Sequence, residues 1–408
     1  MNYTFDFISE MPKSDLHLHL DGSLRLKTLI ELAKAQKIEL PSYTEEGLKE
    51  QVFKESYDNL GEYLRGFQYT CNVLRDYEAI ERASYELAID NQNEGVIYIE
   101  VRFAPQLLID KTKNLDMHKV LEASTKGLDR AKNEYNNRPE VKAGKLPPFN
   151  YGIIACAMRM FGPKGFSPYY TNLFNVMENS KASQVIKLAA MELARASVKL
   201  RDEHGLPIVG IDLAGQEEGY PAHNFKEAYA YVHKNFMHKT VHAGEAYGAE
   251  SIFQAITECY ADRIGHGYSL FIPELILDDQ IKDKKSYINE LSSYIADRRT
   301  VIEVCLTSNK QTNPDLKDIK EHKFKDMLEN RMATTICTDN RLVSNTTVSK
   351  EYEIALNNFD IPLKRLKDIV AYGFKKSFYP GHYVEKRKYA KQVMNYFDQI
   401  VEKHGIKE

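Results

Sequence analysis

Eight short apolar runs, separated by longer stretches with helical spacing, constrain the fold of this 408-residue chain more than any other feature. Most of these runs are continuously apolar, as expected of strands that are buried on both faces of a parallel sheet. Stretches such as Leu24–Gln36 and Tyr77–Asn91 place apolar residues three and four positions apart, which predicts amphipathic helices between the strands. The predicted strands are Ser14–Leu20, Val96–Phe103, Tyr151–Met160, Pro207–Leu213, Lys239–His242, Arg263–Gly265, Thr300–Leu306 and Met332–Thr338.

Eight strands that alternate with helices predict an α/β fold of the (β/α)8 TIM barrel type. The long interval between the first two strands predicts extra helices there, and Leu60–Tyr69 places Leu60, Tyr63, Leu64 and Phe67 on one helical face. Spacing alone favours packing of this face on the barrel over a lid above a pocket. No linker or internal repeat divides the chain, so we expect a single domain that comprises residues 1–408.

The composition is typical of a soluble globular protein, with 43% hydrophobic and 28% charged residues. A formal net charge of −3 argues against a nucleic-acid partner, which would require a clustered basic surface. No apolar run is long enough to cross a membrane, and residues 1–10 lack a signal-peptide pattern, so we expect a cytoplasmic protein without a membrane partner. The five cysteines form no Cys-x-x-Cys pair, which argues against a disulfide framework or a thiolate zinc site.

Histidines and a carboxylate follow the predicted strands at the ends where barrel active sites form. His17 and His19 are two residues apart in the first strand, so their side chains point to the same face. His242 ends the fifth strand, and Asp339 follows the eighth. Three imidazoles and a carboxylate suit zinc, with other divalent ions as alternatives. The sequence therefore predicts a site for one metal ion that activates water.

Two further ionisable residues lie beside these predicted ligands. Glu245 follows His242 by three residues and can act as a proton shuttle, or as a favourable charge at a helix N-terminus. His266 follows the sixth strand and can orient a water by a hydrogen bond. The fourth strand ends with Asp212 and lacks a bridging lysine, which favours one metal over two. The other histidines, His322 among them, are assigned no catalytic role. These features predict hydrolysis of an amide, ester, phosphoester or amidine-like C–N bond.

Seven segments resemble the adenosine deaminase family, and they occur in the family's order over almost the whole chain. Each is moderately specific, whereas the combination is highly specific. The resemblance implies hydrolytic deamination of adenosine and 2′-deoxyadenosine to inosine and 2′-deoxyinosine, with one Zn2+ per chain and release of ammonia. The segments are Pro12–Ser23, Gly95–Pro105, Gly210–Gly215, Thr240–Glu245, Arg263–Tyr268, Glu303–Asn309 and Thr338–Asn340.

The resemblance also implies a role for each residue of the site. The zinc ligands would be His17, His19, His242 and Asp339. Glu245 would protonate N1 of the purine, while His266 and Asp339 position the attacking water. The substrate contacts would come from Asp21 at a ribose hydroxyl, Gly215 at N3, Asn340 at N7, and an apolar lid that contains Leu60, Tyr63 and Phe67.

The sequence departs from the family pattern at two positions. Asn340 stands where many members have a second aspartate, and Gln216 stands where an acidic residue is common. Two predicted loops or insertions, Asn136–Pro148 and Phe161–Tyr170, are expected to lie near the barrel and to shape the ribose side of the pocket. These departures leave the preferred 6-aminopurine open.

Several alternatives remain at this point. The first is the same chemistry on adenine, 5′-methylthioadenosine or aminofutalosine, although Asp21 disfavours adenine and the lack of a basic cluster disfavours AMP. The second is a different mononuclear hydrolase, for instance of cyclic amides, against which Gly215, Glu245 and Asn340 argue. The third is a non-catalytic binding protein, against which the complete ligand set argues. The sequence predicts no oligomeric state.

Overall fold

The computed structural model describes residues 3–407 and contains eight strands whose order in the sheet is their order along the chain. Each strand pairs in parallel with the next one. Strands β1 to β8 comprise Lys13–His19, Val96–Phe103, Asn150–Met158, Ile208–Ala214, His238–Ala243, Arg263–His266, Val301–Val304 and Thr334–Ile336.

The first and last strands meet through a short bridge that joins Leu18 to Asp339. The His19 N–H donates to the Asp339 carbonyl oxygen at 2.8 Å, and the Asp339 N–H donates to the His17 carbonyl oxygen at 2.8 Å. The sheet therefore forms a nearly closed (β/α)8 barrel, and this confirms the predicted fold. The backbone that closes the barrel carries three of the four predicted metal ligands.

Helices surround the barrel. Among the described residues, none of them is both long enough and apolar enough to cross a lipid bilayer. The α-helices are Phe5–Glu10, Leu26–Gln36, Glu45–Gln51, Leu60–Tyr63, Phe67–Val73, Tyr77–Gln92, Pro105–Leu108, Met117–Asn136, Pro139–Lys142, Pro168–Val176, Ala182–His204, Lys226–Lys234, Ala249–Thr257, Lys284–Arg298, Leu306–Thr312, Phe324–Glu329, Val348–Asn358, Leu363–Lys375 and Tyr383–Lys403. Short 3-10 turns comprise Leu64–Gly66, Lys111–Lys113, Ala222–Phe225, Tyr268–Phe271, Pro273–Leu275 and Ile319–Glu321.

The predicted extra helices between β1 and β2 are present, but Leu60–Tyr69 is not one continuous helix. A helix of four residues, Leu60–Tyr63, is followed by the 3-10 turn Leu64–Gly66 and then by a second helix, Phe67–Val73. Glycine inside the segment lowers its helix propensity, which is consistent with this division. The prediction of a single helix was therefore wrong, although its apolar face is retained across the turn.

The predicted bounds of the last two strands were also wrong. Thr300–Leu306 was expected to be one strand, but β7 ends at Val304 and Leu306 begins the helix Leu306–Thr312. Met332–Thr338 was likewise too long, because β8 comprises only Thr334–Ile336. Residues 305, 306 and 337 are fully buried, so the apolar run continues beyond each strand and hydrophobicity alone does not mark its end.

The insertion Asn136–Pro148 lies at the end of the barrel opposite the predicted site, because it directly precedes β3. Its first residue ends a helix, and the Asn136 side chain accepts from the Phe149 N–H at 2.8 Å and donates to the Phe149 carbonyl oxygen at 2.9 Å. The helical turn Pro139–Lys142 lies within it. The expectation that this insertion shapes the ribose side of the pocket is therefore wrong.

Candidate active site

The structure brings the four predicted metal ligands together at the carboxyl ends of the strands. His17 Nε2 lies 3.0 Å from His242 Nε2, and His19 Nε2 lies 3.1 Å from the same atom. Asp339 Oδ1 lies 3.4 Å from His17 Nε2 and 3.5 Å from His19 Nε2. All four residues are buried, and one potential ligand atom of each lies within 4.8 Å of the others.

These distances are those of atoms that share one metal ion. Two ligand atoms at the usual zinc distance of about 2.0–2.1 Å and at a tetrahedral angle lie about 3.3 Å apart. A neutral imidazole has only one N–H, and in His17 and His242 the Nδ1 atom faces a carboxylate and takes that proton. The two Nε2 atoms then have no proton to share, so hydrogen bonds do not explain their close contact. The cluster therefore fits a divalent cation better than it fits a hydrogen-bonded core.

In two of the imidazoles, the Nδ1 atom, which points away from the cluster, contacts a buried carboxylate. His17 Nδ1 lies 2.8 Å from Glu303 Oε2, and His242 Nδ1 lies 2.9 Å from Asp212 Oδ2. Such partners fix the ring orientation and leave the other nitrogen, Nε2, free to bind a metal. The Arg102 guanidinium lies between the two carboxylates, at 2.8 Å from Asp212 Oδ2 and 2.9 Å from Glu303 Oε2. Burial alone would raise the pKa of Asp212 and Glu303, but the neighbouring positive charges lower both well below the ordinary values.

Asp339 and His266 both have left-handed backbone conformations, with φ of 63° and 65°. Such conformations cost about 1–3 kcal/mol for a residue other than glycine and tend to occur at functional sites. Ser308 Oγ donates to Asp339 Oδ2 at 2.6 Å, which leaves Oδ1 directed at the histidines. Burial acts to raise the pKa of Asp339, but the hydrogen bond and charge of His17 lower it below the ordinary value.

Glu245 lies in a turn that is held by a neighbouring acid, Glu217. The Glu217 carboxylate accepts hydrogen bonds from four successive backbone N–H groups, those of residues 244–247, at 2.8–3.1 Å. It also accepts from Ser251 Oγ. Glu217 is itself buried, so these contacts satisfy a charge that would otherwise be costly. The turn is thereby fixed with Glu245 beside the predicted metal ligands.

Glu245 is 5% exposed, and its Oε2 atom lies 3.8 Å from His266 Nε2. Burial raises its pKa well above the ordinary value, and the nearby negative charges of Asp339 and Glu217 raise it further. A carboxyl group that retains its proton near neutral pH can donate that proton to a base.

A cavity of about 290 Å³ opens beside this cluster. Its walls are largely apolar, and the loop Phe161–Tyr170 after β3 borders it, as predicted. Among the described residues that line the cavity, none is a lysine or an arginine. The wall includes all six predicted substrate-binding residues and five of the six residues predicted to bind the metal or to act in catalysis. These residues are Asp21, Leu60, Tyr63, Phe67, Gly215, Asn340, His19, His242, Glu245, His266 and Asp339. His17 is buried behind this wall.

The predicted lid is connected to the predicted purine-binding residue by a hydrogen bond. The Asn340 side-chain amide donates to the Tyr63 hydroxyl at 2.7 Å, and that hydroxyl lies 2.8 Å from Ser344 Oγ. Leu60, Tyr63 and Phe67 all line the cavity, so their face does not only pack on the barrel, and their role as a lid stays a prediction. Gly22 is required beside Asn340, because a Cβ atom there would lie 1.7 Å from Asn340 Oδ1.

Asp21 lines the cavity and is 4% exposed. Its Oδ1 atom has no hydrogen-bond partner within the described residues. Burial raises the pKa of Asp21 to about 7. A buried carboxyl oxygen without a partner is costly, so a hydroxyl donor from a ligand would be favourable there.

Sequence reasoning missed several residues that support the site. It gave no role to Glu303, which orients His17, or to Glu217, which anchors the turn that carries Glu245. It also gave no role to His322, which is fully buried and contacts Asn309 beside His266. Glu303 was detectable as a lone acid within an apolar strand, whereas Glu217 and His322 lie in segments without a periodic signal.

Comparisons with known proteins show the family to which the chain belongs. The sequence profile of the family described as Adenosine deaminase matches residues 12–168 and 171–396. Adenosine deaminase 1 of Streptomyces coelicolor is 32% identical over 380 residues, which cover 92% of this chain and 84% of that protein. The adenosine deaminase of Mycolicibacterium vanbaalenii is 34% identical over 350 residues, which cover 85% of each protein.

A probable adenosine deaminase of Dictyostelium discoideum is 31% identical over 376 residues. The match covers 92% of this chain but only 41% of the Dictyostelium protein, so the chain spans about two fifths of that relative's length.

Solved structures share the barrel. An amidohydrolase from Burkholderia ambifaria with bound Zn superimposes with a TM-score of 0.76 at 17% identity, covering 100% of this chain and 97% of that one. The N6-mAMP deaminase of Arabidopsis gives 0.71 at 23% identity, covering 97% and 99%. The adenine deaminase of Arthrobacter aurescens gives 0.70 at 19% identity, covering 95% and 99%. At these identities the similarity supports the fold alone.

The fold and the donor cluster together define a (β/α)8 barrel whose rim carries three histidines and an aspartate that could hold a metal ion. With the profile match and the relatives above, the chain belongs to the adenosine deaminase family, whose members are deaminases.

Proposed function

We propose that this protein catalyses the zinc-dependent hydrolytic deamination of adenosine and 2′-deoxyadenosine, which yields inosine, 2′-deoxyinosine and ammonia. The observation that carries the proposal is the meeting of a four-donor cluster and the buried Glu245 at one cavity. The named relatives at 31–34% identity support the same reaction.

The donor set supports one zinc ion per chain, bound by His17, His19, His242 and Asp339. Imidazole nitrogens and a carboxylate oxygen are ligands that zinc prefers, and two of the rings are oriented by Glu303 and Asp212 in the manner usual for metal-binding histidines. Zinc is also bound in the Burkholderia structure that shares this fold. When bound, such an ion supplies a nucleophile at neutral pH by lowering the pKa of water.

Three side chains would then act on the reacting centre. Glu245 holds a proton in a buried position and would deliver it to N1 of the purine, which makes C6 a better electrophile. His266 and Asp339 offer polar atoms within 4.8 Å of each other and would orient the attacking water, and Asp339 would accept its proton. Ammonia leaves once the C6 amino group has been protonated.

The remaining wall would hold the nucleoside. Asp21 presents a buried carboxyl oxygen without a partner, which would accept a hydrogen bond from a sugar hydroxyl. The Gly215 N–H would bind N3, and Asn340 would contact N7. Leu60, Tyr63 and Phe67 would cover the substrate and exclude bulk water.

The cavity favours a nucleoside over a nucleotide. A 5′-phosphate carries charge that requires cationic partners, and the described lining residues include neither lysine nor arginine. The wall formed by Leu107, Met160, Phe161 and Phe166 is apolar. This wall makes 5′-methylthioadenosine, whose 5′ substituent is apolar, the second candidate substrate.

Ammonia release from a panel of 6-aminopurines tests the substrate assignment. The purified zinc-loaded protein is given adenosine, 2′-deoxyadenosine, 5′-methylthioadenosine, adenine or AMP. We expect the two nucleosides to be deaminated fastest, and AMP to be at least about 100-fold poorer in kcat/KM because its phosphate would be buried without a partner. A preference for AMP or adenine, or the absence of ammonia from every compound, would refute the proposal.

A further inference from the structure

A row of buried side chains extends from His266 away from the cavity. Asn309 Nδ2 lies 3.1 Å from His266 Nδ1, and Asn309 Oδ1 lies 3.1 Å from His322 Nε2. At the far end, the Phe324 backbone N–H donates to His322 Nδ1 at 2.9 Å. The three side chains have no solvent exposure. The row therefore joins the end of β6 to the segment that precedes β8.

The donor at the far end determines the direction of every hydrogen bond in the row. A backbone N–H can only donate, so His322 Nδ1 accepts and the proton of the neutral ring lies on Nε2. His322 Nε2 therefore donates to Asn309, which requires the amide oxygen of Asn309 to face His322. The amide nitrogen then faces His266 and donates to its Nδ1. A flipped Asn309 amide would place two donors in contact at His322, which excludes that orientation.

His322 stays neutral over the range in which enzymes of this kind operate. Burial lowers its pKa to about 3, so that its Nδ1 keeps its lone pair for the Phe324 N–H near neutral pH. The ring also packs against Tyr268, with 4.9 Å between the ring centroids, which restrains its orientation. The direction of the row is therefore fixed by packing as well as by hydrogen bonding.

We infer that Asn309 and His322 are positioning residues that hold His266 as the tautomer with its proton on Nε2. His266 Nε2 lines the cavity side of the ring and has no hydrogen-bond partner within the described residues. It lies 3.8 Å from Glu245 Oε2. His266 thus faces the reacting centre as a hydrogen-bond donor to an oxygen atom. The effect of this tautomer on turnover rests on the proposed function, whereas the tautomer itself does not.

Nitrogen-15 chemical shifts of the histidine rings measure the tautomer directly. The experiment uses zinc-loaded protein labelled at histidine nitrogens, without substrate, and the His266 signals are assigned by their absence in His266→Gln. We expect the wild-type shifts of a ring with a protonated Nε2 and an unprotonated Nδ1. In Asn309→Asp, the carboxylate can only accept, so we expect the His266 proton to move to Nδ1.

Kinetics of paired variants at His322 separate positioning from general stability. His322→Gln retains an amide donor towards Asn309 Oδ1, whereas His322→Phe has a ring of similar size and no donor. We expect His322→Phe to lower kcat by about 10- to 100-fold with little change in KM, and His322→Gln to recover most of that loss. Asn235→Asp serves as the control for Asn309→Asp, because it makes the same amide-to-acid change at a partly buried residue that precedes β5. We expect it to leave the His266 tautomer unchanged.

The outcomes are distinguishable from those of the substrate screen. A wild-type His266 with its proton on Nδ1, or an unchanged tautomer in Asn309→Asp, would overturn the inference whether or not adenosine is deaminated. Equal losses of kcat in His322→Phe and His322→Gln would also overturn it. If no aminopurine is deaminated, the proposed function fails while the ring shifts still test the tautomer.

Discussion

At the scale of single residues, Glu245 combines burial with proximity to the predicted metal ligands. The residue is 5% exposed, and its backbone is held by the hydrogen bonds that Glu217 accepts from residues 244–247. Its pKa is raised first by burial and then by the charges of Asp339 and Glu217. These features suit a residue that gives a proton to the substrate. They are unsuited to a metal ligand, because a carboxyl group must lose its proton to bind a metal ion.

Glu245→Gln tests this role because the amide has the same shape but carries no transferable proton. We predict that the variant binds zinc as the wild type does and loses turnover of adenosine by about 100- to 10,000-fold. Zinc is measured by elemental analysis, and turnover is measured by ammonia release. Glu218→Gln, a change at an exposed glutamate close in sequence to Glu217, is expected to leave both quantities unchanged. Near-normal turnover in Glu245→Gln would assign the proton transfer to another group.

Single residues also show where sequence reasoning succeeds. Glu245 was predicted because it follows a strand-terminal histidine at short range, and a barrel places such residues at its mouth. His322 was assigned no role because it lies in an irregular segment, 56 residues from His266 along the chain, and only the fold brings it to Asn309. Short-range spacing is visible in a sequence, whereas contacts between distant loops are not.

At the scale of elements, the short helix Leu60–Tyr63, which is part of the predicted lid, contacts the segment after β8 that also lines the cavity. Tyr63 is almost fully buried, and its hydroxyl contacts both Asn340 Nδ2 and Ser344 Oγ. Asn59 caps the N-terminus of this helix, because its side chain accepts from the Glu62 N–H at 3.0 Å. The lid is therefore attached through Tyr63 to the segment that follows β8.

Tyr63→Phe removes this attachment without changing the apolar surface of the lid. We predict that KM for adenosine rises by about 3- to 10-fold, with a smaller change in kcat, because the Asn340 amide loses a partner and is less well oriented towards the purine. Steady-state kinetics provide the measurement. Tyr43→Phe, at an exposed tyrosine outside the cavity, is the matched control. An unchanged KM, or a loss confined to kcat, would argue against a role of this contact in substrate binding.

Elements were predictable where their pattern was strong. Val96–Phe103 was predicted with the observed bounds, because it is a predominantly apolar, β-branched run after a long amphipathic helix. The predicted end of β7 was wrong because the next helix, Leu306–Thr312, begins inside the same buried run. The lid segment failed as a single helix, since the 3-10 turn Leu64–Gly66 preserves the spacing of the apolar face while breaking the helix.

At the scale of the whole molecule, the barrel makes one site from residues that are distant along the chain. His17 and His19 come from β1, His242 from β5, and Asp339 follows β8 at the bridge that closes the sheet. This convergence was predictable, because all strand ends of a parallel barrel meet at one rim. The buried ion pairs of Arg102 with Asp212 and Glu303 were not predictable. Which charged side chains meet inside the barrel depends on the register between neighbouring strands, and the sequence does not show that register.

Titration of metal-free protein with zinc tests the central claim most directly. Metal is removed with a chelator, zinc is returned stepwise, and bound zinc is measured together with ammonia release from adenosine. We predict that the metal-free protein is inactive, that activity returns in proportion to bound zinc, and that it saturates at one ion per chain. Full activity without metal, or saturation only at two or more ions per chain, would contradict the account.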